Sequence, residues 1–154
     1  MSNKTMFVTA GVIVLIIIVG ILTLWGVKKT PQDNDVAGDA TVKIAFNETV
    51  GNYLTDKNGL TLYYFDVDKI GTPTMDAVSN CYDACEIAWP IFYEAEIKVP
   101  SSLKVSDFSE IKRLNDASQT VYQGMPLYYY VNDAAAGDIK GEGLNNVWYT
   151  VKIK

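Results

Sequence analysis

Gly59-Leu-Thr-Leu-Tyr-Tyr-Phe-Asp-Val-Asp68 and Gly124-Met-Pro-Leu-Tyr-Tyr-Tyr-Val-Asn-Asp133 follow one pattern, G-x-x-L-Y-Y-[FY]-x-x-D, set 65 residues apart. Six of the ten positions fit it, three of them aromatic, which composition bias does not produce. Successive residues of a strand point to opposite faces. Tyr63 and Phe65 therefore share one face and Tyr64 takes the other, and Tyr128 and Tyr130 share a face against Tyr129. Asp68 and Asp133 follow each strand, where a carboxylate accepts backbone N–H groups and fixes a turn. Each copy is followed by a tryptophan, Trp89 and Trp148. Two such copies imply related strand-turn units packed about a pseudo-twofold. One aromatic pair is expected to fill a shared core with its phenol tips at the rim. The alternative use of the tyrosines is a binding or electron-relay surface.

Working outward, short runs rich in Val, Ile, Tyr and Phe are strand candidates at 41–46, 51–55, 60–67, 91–99, 120–122, 127–131 and 147–153. Asp56-Lys-Asn-Gly59 is a turn joining two of them in a hairpin. Ser79–Ala88 is expected to give one or two helical turns. Val105–Ile111 is a second helical candidate, with Ser106 and Ser109 as possible caps. The expected fold is mostly β: a small antiparallel β domain of two related strand-turn units with minor helix, preceded by one transmembrane helix.

That helix is Met6–Val27, 22 residues without a charge. At 1.5 Å per residue it reaches roughly 33 Å, about one hydrocarbon core. Trp25, Lys28 and Lys29 stand where interfacial residues belong. A signal peptide is the rival reading. The run is longer than a signal's apolar region, and Trp25-Gly-Val-Lys-Lys29 is a poor cleavage site, so a retained anchor is expected. The organisation is then an anchor at 1–29, a flexible polar tether at 30–40 and a β domain at 41–154.

Charge and composition exclude several functions. Residues 30–154 hold all 18 acidic side chains and ten of the 13 basic ones, a net −8. A nucleic-acid binder needs a basic face, so none is expected as partner. The chain has no histidine, which removes Ser-His-Asp and Cys-His catalysis and histidine-ligated metals. No carboxylate pair stands in an environment that the sequence fixes, and no enzymatic activity is expected. Gly137–Gly143 lacks a phosphate-loop pattern and is expected to be an ordinary loop. Asn47-Glu-Thr49 is a glycosylation sequon.

Cys81 and Cys85 are the only cysteines. In an exported domain the default is a disulfide, which stabilises modestly across so short a loop. It would pin the turn beneath Trp89-Pro90. The alternative is a copper(I) set of two thiolates and a thioether from Met125 or Met75, which would make a small redox or copper-handling protein. A disulfide would also set the orientation, placing the amino terminus inside and residues 30–154 outside the cytoplasm.

The chain resembles the prokaryotic predicted lipoproteins with a Yx(FWY)xxD motif, the secreted repeat of unknown function. The resemblance rests on Tyr63–Asp68 and Tyr128–Asp133, on Cys81-Tyr-Asp-Ala-Cys85 with Trp89-Pro90, and on Gly141–Tyr149. It implies an exported, envelope-attached β domain without established enzymatic activity. Two features depart from the family: a transmembrane segment stands in place of the lipidated cysteine, and Met125 stands where Gly-His-Pro-Leu-Tyr would place histidine. The expected function is a membrane-anchored extracytoplasmic binding or accessory module, a subunit or partner of an envelope or respiratory complex.

Overall fold

The computed structural model describes residues 38–153. The expected anchor and most of the tether lie outside the described residues. Among those residues, no helix is long and apolar enough to cross a membrane.

Among the described residues, seven short strands form three antiparallel sheets. β1 (Val42–Asn47) pairs with β2 (Gly51–Asp56). β3 (Tyr63–Phe65) pairs with β7 (Trp148–Thr150). β4 (Phe108–Lys112), β5 (Ser118–Tyr122) and β6 (Met125–Pro126) form the third. One short helix, α1 (Ala84–Ala88), and two single 3₁₀ turns, Val105–Asp107 and Leu144–Asn146, complete the elements. Single bridges stitch the sheets together: Tyr53 to Lys152, Thr55 to Thr61, and Tyr128 to both Tyr63 and Ile91.

The expected turn at 56–59 forms, and its chemistry is local. Asp56 Oδ1 accepts the N–H groups of Asn58 at 2.8 Å and Leu60 at 2.9 Å. Gly59 closes the turn at φ +86°, a conformation other residues resist. The chain then returns along β2, with Leu62 N–H donating to Leu54 O at 3.0 Å.

Among the described residues, two larger apolar cores and one small cluster result. Leu54, Leu62, Leu127, Phe92 and Val151 are buried in the first, with Tyr64 and Tyr129 packed against it. Tyr63, Tyr128, Trp89, Trp148 and Cys81 are buried in the second, with Phe65 and Tyr130 packed against it. The strand alternation read from the sequence thus sorts the six motif aromatics between the cores. Both faces are covered, so the tyrosines form no open stripe.

Three expectations need correction. The helical candidate at 105–111 is one 3₁₀ turn followed by β4, because seven residues do not sustain a helix without packing. Instead Ile111 is buried beside Val121 and Ala77, and all five β4 residues pair with β5. Ser106 and Ser109 cap nothing; the residue before the turn is Lys104, with no side-chain cap. The run 91–99 joins no ladder. It runs between Pro90 and Pro100 and is held by isolated bonds, such as Phe92 N–H to Leu127 O at 2.9 Å and Thr41 N–H to Lys98 O at 2.8 Å. The run 127–131 is likewise held by single bridges at Tyr128, since the strand there is only Met125–Pro126.

Candidate functional site

The two repeat copies meet at Tyr63 and Tyr128. Tyr63 N–H donates to Tyr128 O at 2.9 Å, and Tyr128 N–H donates back to Tyr63 O at 3.0 Å. This reciprocal pair lies on the pseudo-twofold. Around it the copies exchange side chains. The Tyr63 hydroxyl donates to Asp133 Oδ2 and the Tyr128 hydroxyl donates to Asp68 Oδ2, each at 2.6 Å. Each carboxylate also takes a backbone N–H from a later loop: Asn80 on Asp68 at 2.7 Å, Lys140 on Asp133 at 3.0 Å. The aspartates therefore accept backbone N–H groups as expected. They anchor loops further along the chain, and they tie each copy to the other copy's tyrosine.

The tryptophans complete the exchange. Trp89 and Trp148 stack face to face, centroids 3.8 Å apart and planes within 4°. Phe65 stacks on Trp148 at 4.2 Å and Tyr130 on Trp89 at 4.3 Å, so each copy's outer ring covers the other copy's tryptophan. Four rings lie in one column, Tyr130–Trp89–Trp148–Phe65. Tyr63 and Tyr128 meet the column edge-on, at 5.4 Å from Trp89 and 5.2 Å from Trp148. Such pairs add roughly 0.5–1.5 kcal/mol each beyond area burial. Backbone bonds repeat the symmetry: Asp66 N–H to Val147 O at 2.8 Å, and Val131 N–H to Ala88 O at 3.0 Å.

Burial sets the protonation. It pushes the Tyr63 and Tyr128 phenols well above their usual range, and the facing carboxylates reinforce the effect. Burial also raises Asp68 and Asp133, against the pull of the phenol and backbone donors. The phenol keeps its proton and the carboxylate accepts it, the arrangement of a short charge-assisted hydrogen bond. Tyr129 is raised in the same way, by burial and by Asp56, which its hydroxyl reaches at 3.2 Å.

One cation organises the flank of the site, and the sequence reading missed it. Arg113 is the sole arginine beside twelve lysines, a usable signal in hindsight. Its guanidinium is fully buried. Nη1 donates to Ser79 Oγ and Gln119 Oε1, both at 2.7 Å. Nη2 donates to Cys81 O and to Glu86 Oε2, the latter at 2.9 Å, and the group lies 4.5 Å over the Tyr82 ring. Tyr128 has one hydroxyl proton and spends it on Asp68, so Ser79 donates to Tyr128 at 2.7 Å. A directed chain therefore runs from Arg113 through Ser79 and Tyr128 to Asp68.

Cys81 and Cys85 are joined in a disulfide, with Cα atoms 5.2 Å apart. α1 begins only at Ala84, so the bridge spans a turn into the helix, and Trp89 N–H then caps Cys85 O at 2.8 Å. The bridge supports the turn beneath Trp89. The structure does not assemble the copper set: the sulfurs are bonded to each other within the second core, whereas Met125 packs against the first. Met75 is 65% exposed on the 69–78 hairpin. Gly141, expected in an ordinary loop, covers the column. Its N–H donates to the Tyr63 hydroxyl at 3.2 Å, and an added Cβ would lie 2.8 Å from Trp89 and Tyr63 ring atoms.

A groove of about 440 Å³ also escaped the sequence reading. It lies between the 69–78 hairpin and the 106–111 segment. Asp76, Asp107 and Glu110 give it an acidic rim, over Ala77, Ile111 and Val121. Ile70, Met75 and Val78 stand exposed on the same hairpin.

The model of one family, the secreted repeat of unknown function, matches residues 45–92 and 111–152, more than half of the chain. The two matched segments are the two halves of the pseudo-twofold. No curated protein and no solved structure matches the chain.

Proposed function

Because this chain belongs to the family of secreted repeats of unknown function, we propose that its extracytoplasmic β domain is a membrane-anchored binding or accessory module. The apolar segment 6–27 holds it at the membrane, and its partner is an envelope or respiratory membrane complex.

One observation carries this reading: the motif side chains are consumed by the fold. Tyr63, Tyr128, Trp89, Trp148 and Asp68 are buried, the two tyrosine hydroxyls are paired with the other copy's aspartates, and the two tryptophan rings stack on each other. A motif spent on joining two copies specifies a scaffold. Recognition then falls to the surface that the scaffold holds, and the groove beside the 69–78 hairpin combines exposed apolar side chains with an acidic rim. Those features suit an interface with a basic or mixed partner face.

The test is cross-linking in intact cells, followed by detergent purification of the full chain. One membrane protein should recover reproducibly, with cross-links mapping to residues 69–78 or 106–111. A chain recovered alone at every cross-linker length would sink the reading.

A further inference from the structure

The turn joining β1 to β2 lies outside the aromatic site and carries the sequon Asn47-Glu48-Thr49. Its middle residue is glutamate, not proline, as an N-glycan acceptor requires. Glu48 and Thr49 are exposed, and Asn47 is half-exposed. Neighbouring Phe46 is 70% exposed, so bulk added here meets no core. Thr49 N–H donates to Asn47 Oδ1 at 2.8 Å. This bond holds the amide by its oxygen and draws electron density toward it. The amide nitrogen Nδ2 has no partner among the described residues.

We infer that Asn47 Nδ2 is the acceptor of an N-linked glycan, transferred from an oligosaccharide on a polyisoprenyl phosphate carrier. In this step the amide nitrogen attacks the anomeric carbon. A C–N bond forms as the C–O bond to the carrier phosphate breaks. The amide gives up one proton to solvent, and the carrier phosphate departs with the bonding electron pair. No redox partner is needed.

The inference rests on the extracytoplasmic placement proposed above, and the sequence supplies an internal control. A second sequon, Asn3-Lys4-Thr5, precedes the apolar run 6–27. With the amino terminus inside, Asn3 never meets an enzyme acting outside the membrane, and only Asn47 is modified.

The experiment is intact-mass and glycopeptide mass spectrometry of the full chain purified from its native membranes, with protease accessibility measured on the same cells. A sugar-bearing Asn47 peptide and a bare Asn3 peptide are expected. The added mass should vanish in Asn47→Gln and Thr49→Ala and persist in Thr49→Ser, all three lying at the end of β1 or in the turn after it, outside the cores. A bare Asn47 peptide from a domain that protease reaches outside the cell would overturn the glycan and leave the placement standing. Sugar on Asn3 with Asn47 bare would overturn the placement and the glycan together.

Discussion

Tyr128→Phe removes a single oxygen and tests the interlock between the copies. The Tyr128 hydroxyl is the side-chain donor to buried Asp68 at 2.6 Å, and it takes the Ser79 proton at 2.7 Å. A hydrogen bond to a charged group contributes about 1.5–3 kcal/mol, and a buried hydroxyl left without its acceptor costs about 1 kcal/mol more. The expected loss at pH 7 is about 3 kcal/mol. The pH dependence has a definite sign. Burial already raises Asp68 above its ordinary value, and removing the phenol raises it further. A carboxyl whose folded pKa exceeds its unfolded one stabilises the fold below the unfolded value, about 3.9, and loses that contribution as pH rises through the folded value. The cost of Tyr128→Phe should therefore shrink as pH falls below about 3.9, where Asp68 is protonated in folded and unfolded chains alike. The assay is urea unfolding of residues 30–154, followed by tryptophan fluorescence, with the slope checked for constancy. A double-mutant cycle with Asp68→Asn should return a coupling of about 1.5–2 kcal/mol. A loss below about 0.5 kcal/mol, or a coupling near zero, would refute the claim that tyrosine–aspartate exchange holds the copies together.

Phe65→Ala and Tyr130→Ala should cost about 2–3 kcal/mol each, below a fully buried aromatic, because both outer rings are half-exposed; thermal unfolding of the two variants measures it, and unequal losses would break the symmetry argument. Alkaline titration should reveal tyrosines that ionise only on unfolding. Tyr63, Tyr128 and Tyr129 are all raised, so stability falls above about pH 10 by about 1.4 kcal/mol per pH unit for each such phenol. All ten tyrosines titrating together near pH 10 in a folded domain would contradict this. Cys85→Ser should cost about 2 kcal/mol by loop-closure entropy, with no free thiol in the wild type before reduction; two free thiols in the native protein would remove the bridge from the account.

The repeat was the legible part of this fold. Six matching positions revealed two units, and strand alternation sorted Tyr63 and Phe65 from Tyr64 correctly, because a period of two survives even in a three-residue strand. The turn at 56–59 was legible because its chemistry is local. What the repeat does was not. Asp68 was readable as a turn residue, but its partner Tyr128 lies 60 residues away, and no local pattern encodes a swap. Strand ends were overextended for the same reason. The runs at 60–67 and 127–131 look like full strands, yet only Tyr63–Phe65 of the first joins a ladder, and the second meets the other copy through single bridges at Tyr128. Gly141 read as loop because only the column it covers explains the missing side chain. Arg113 carried the one compositional cue that went unused: an arginine among lysines is the side chain suited to a buried, multiply bonded cation.

The central claim is that the scaffold stands outside the cytoplasm on a membrane anchor, and protease treatment of intact cells tests it most directly. Cells are treated with protease and then fractionated, and residues 38–154 and the segment 6–27 are followed separately by mass spectrometry. The account predicts that the domain peptides are lost from intact cells while the apolar segment stays in the membrane pellet. A domain fully protected until lysis, or shed without its apolar segment before any protease is added, would contradict it.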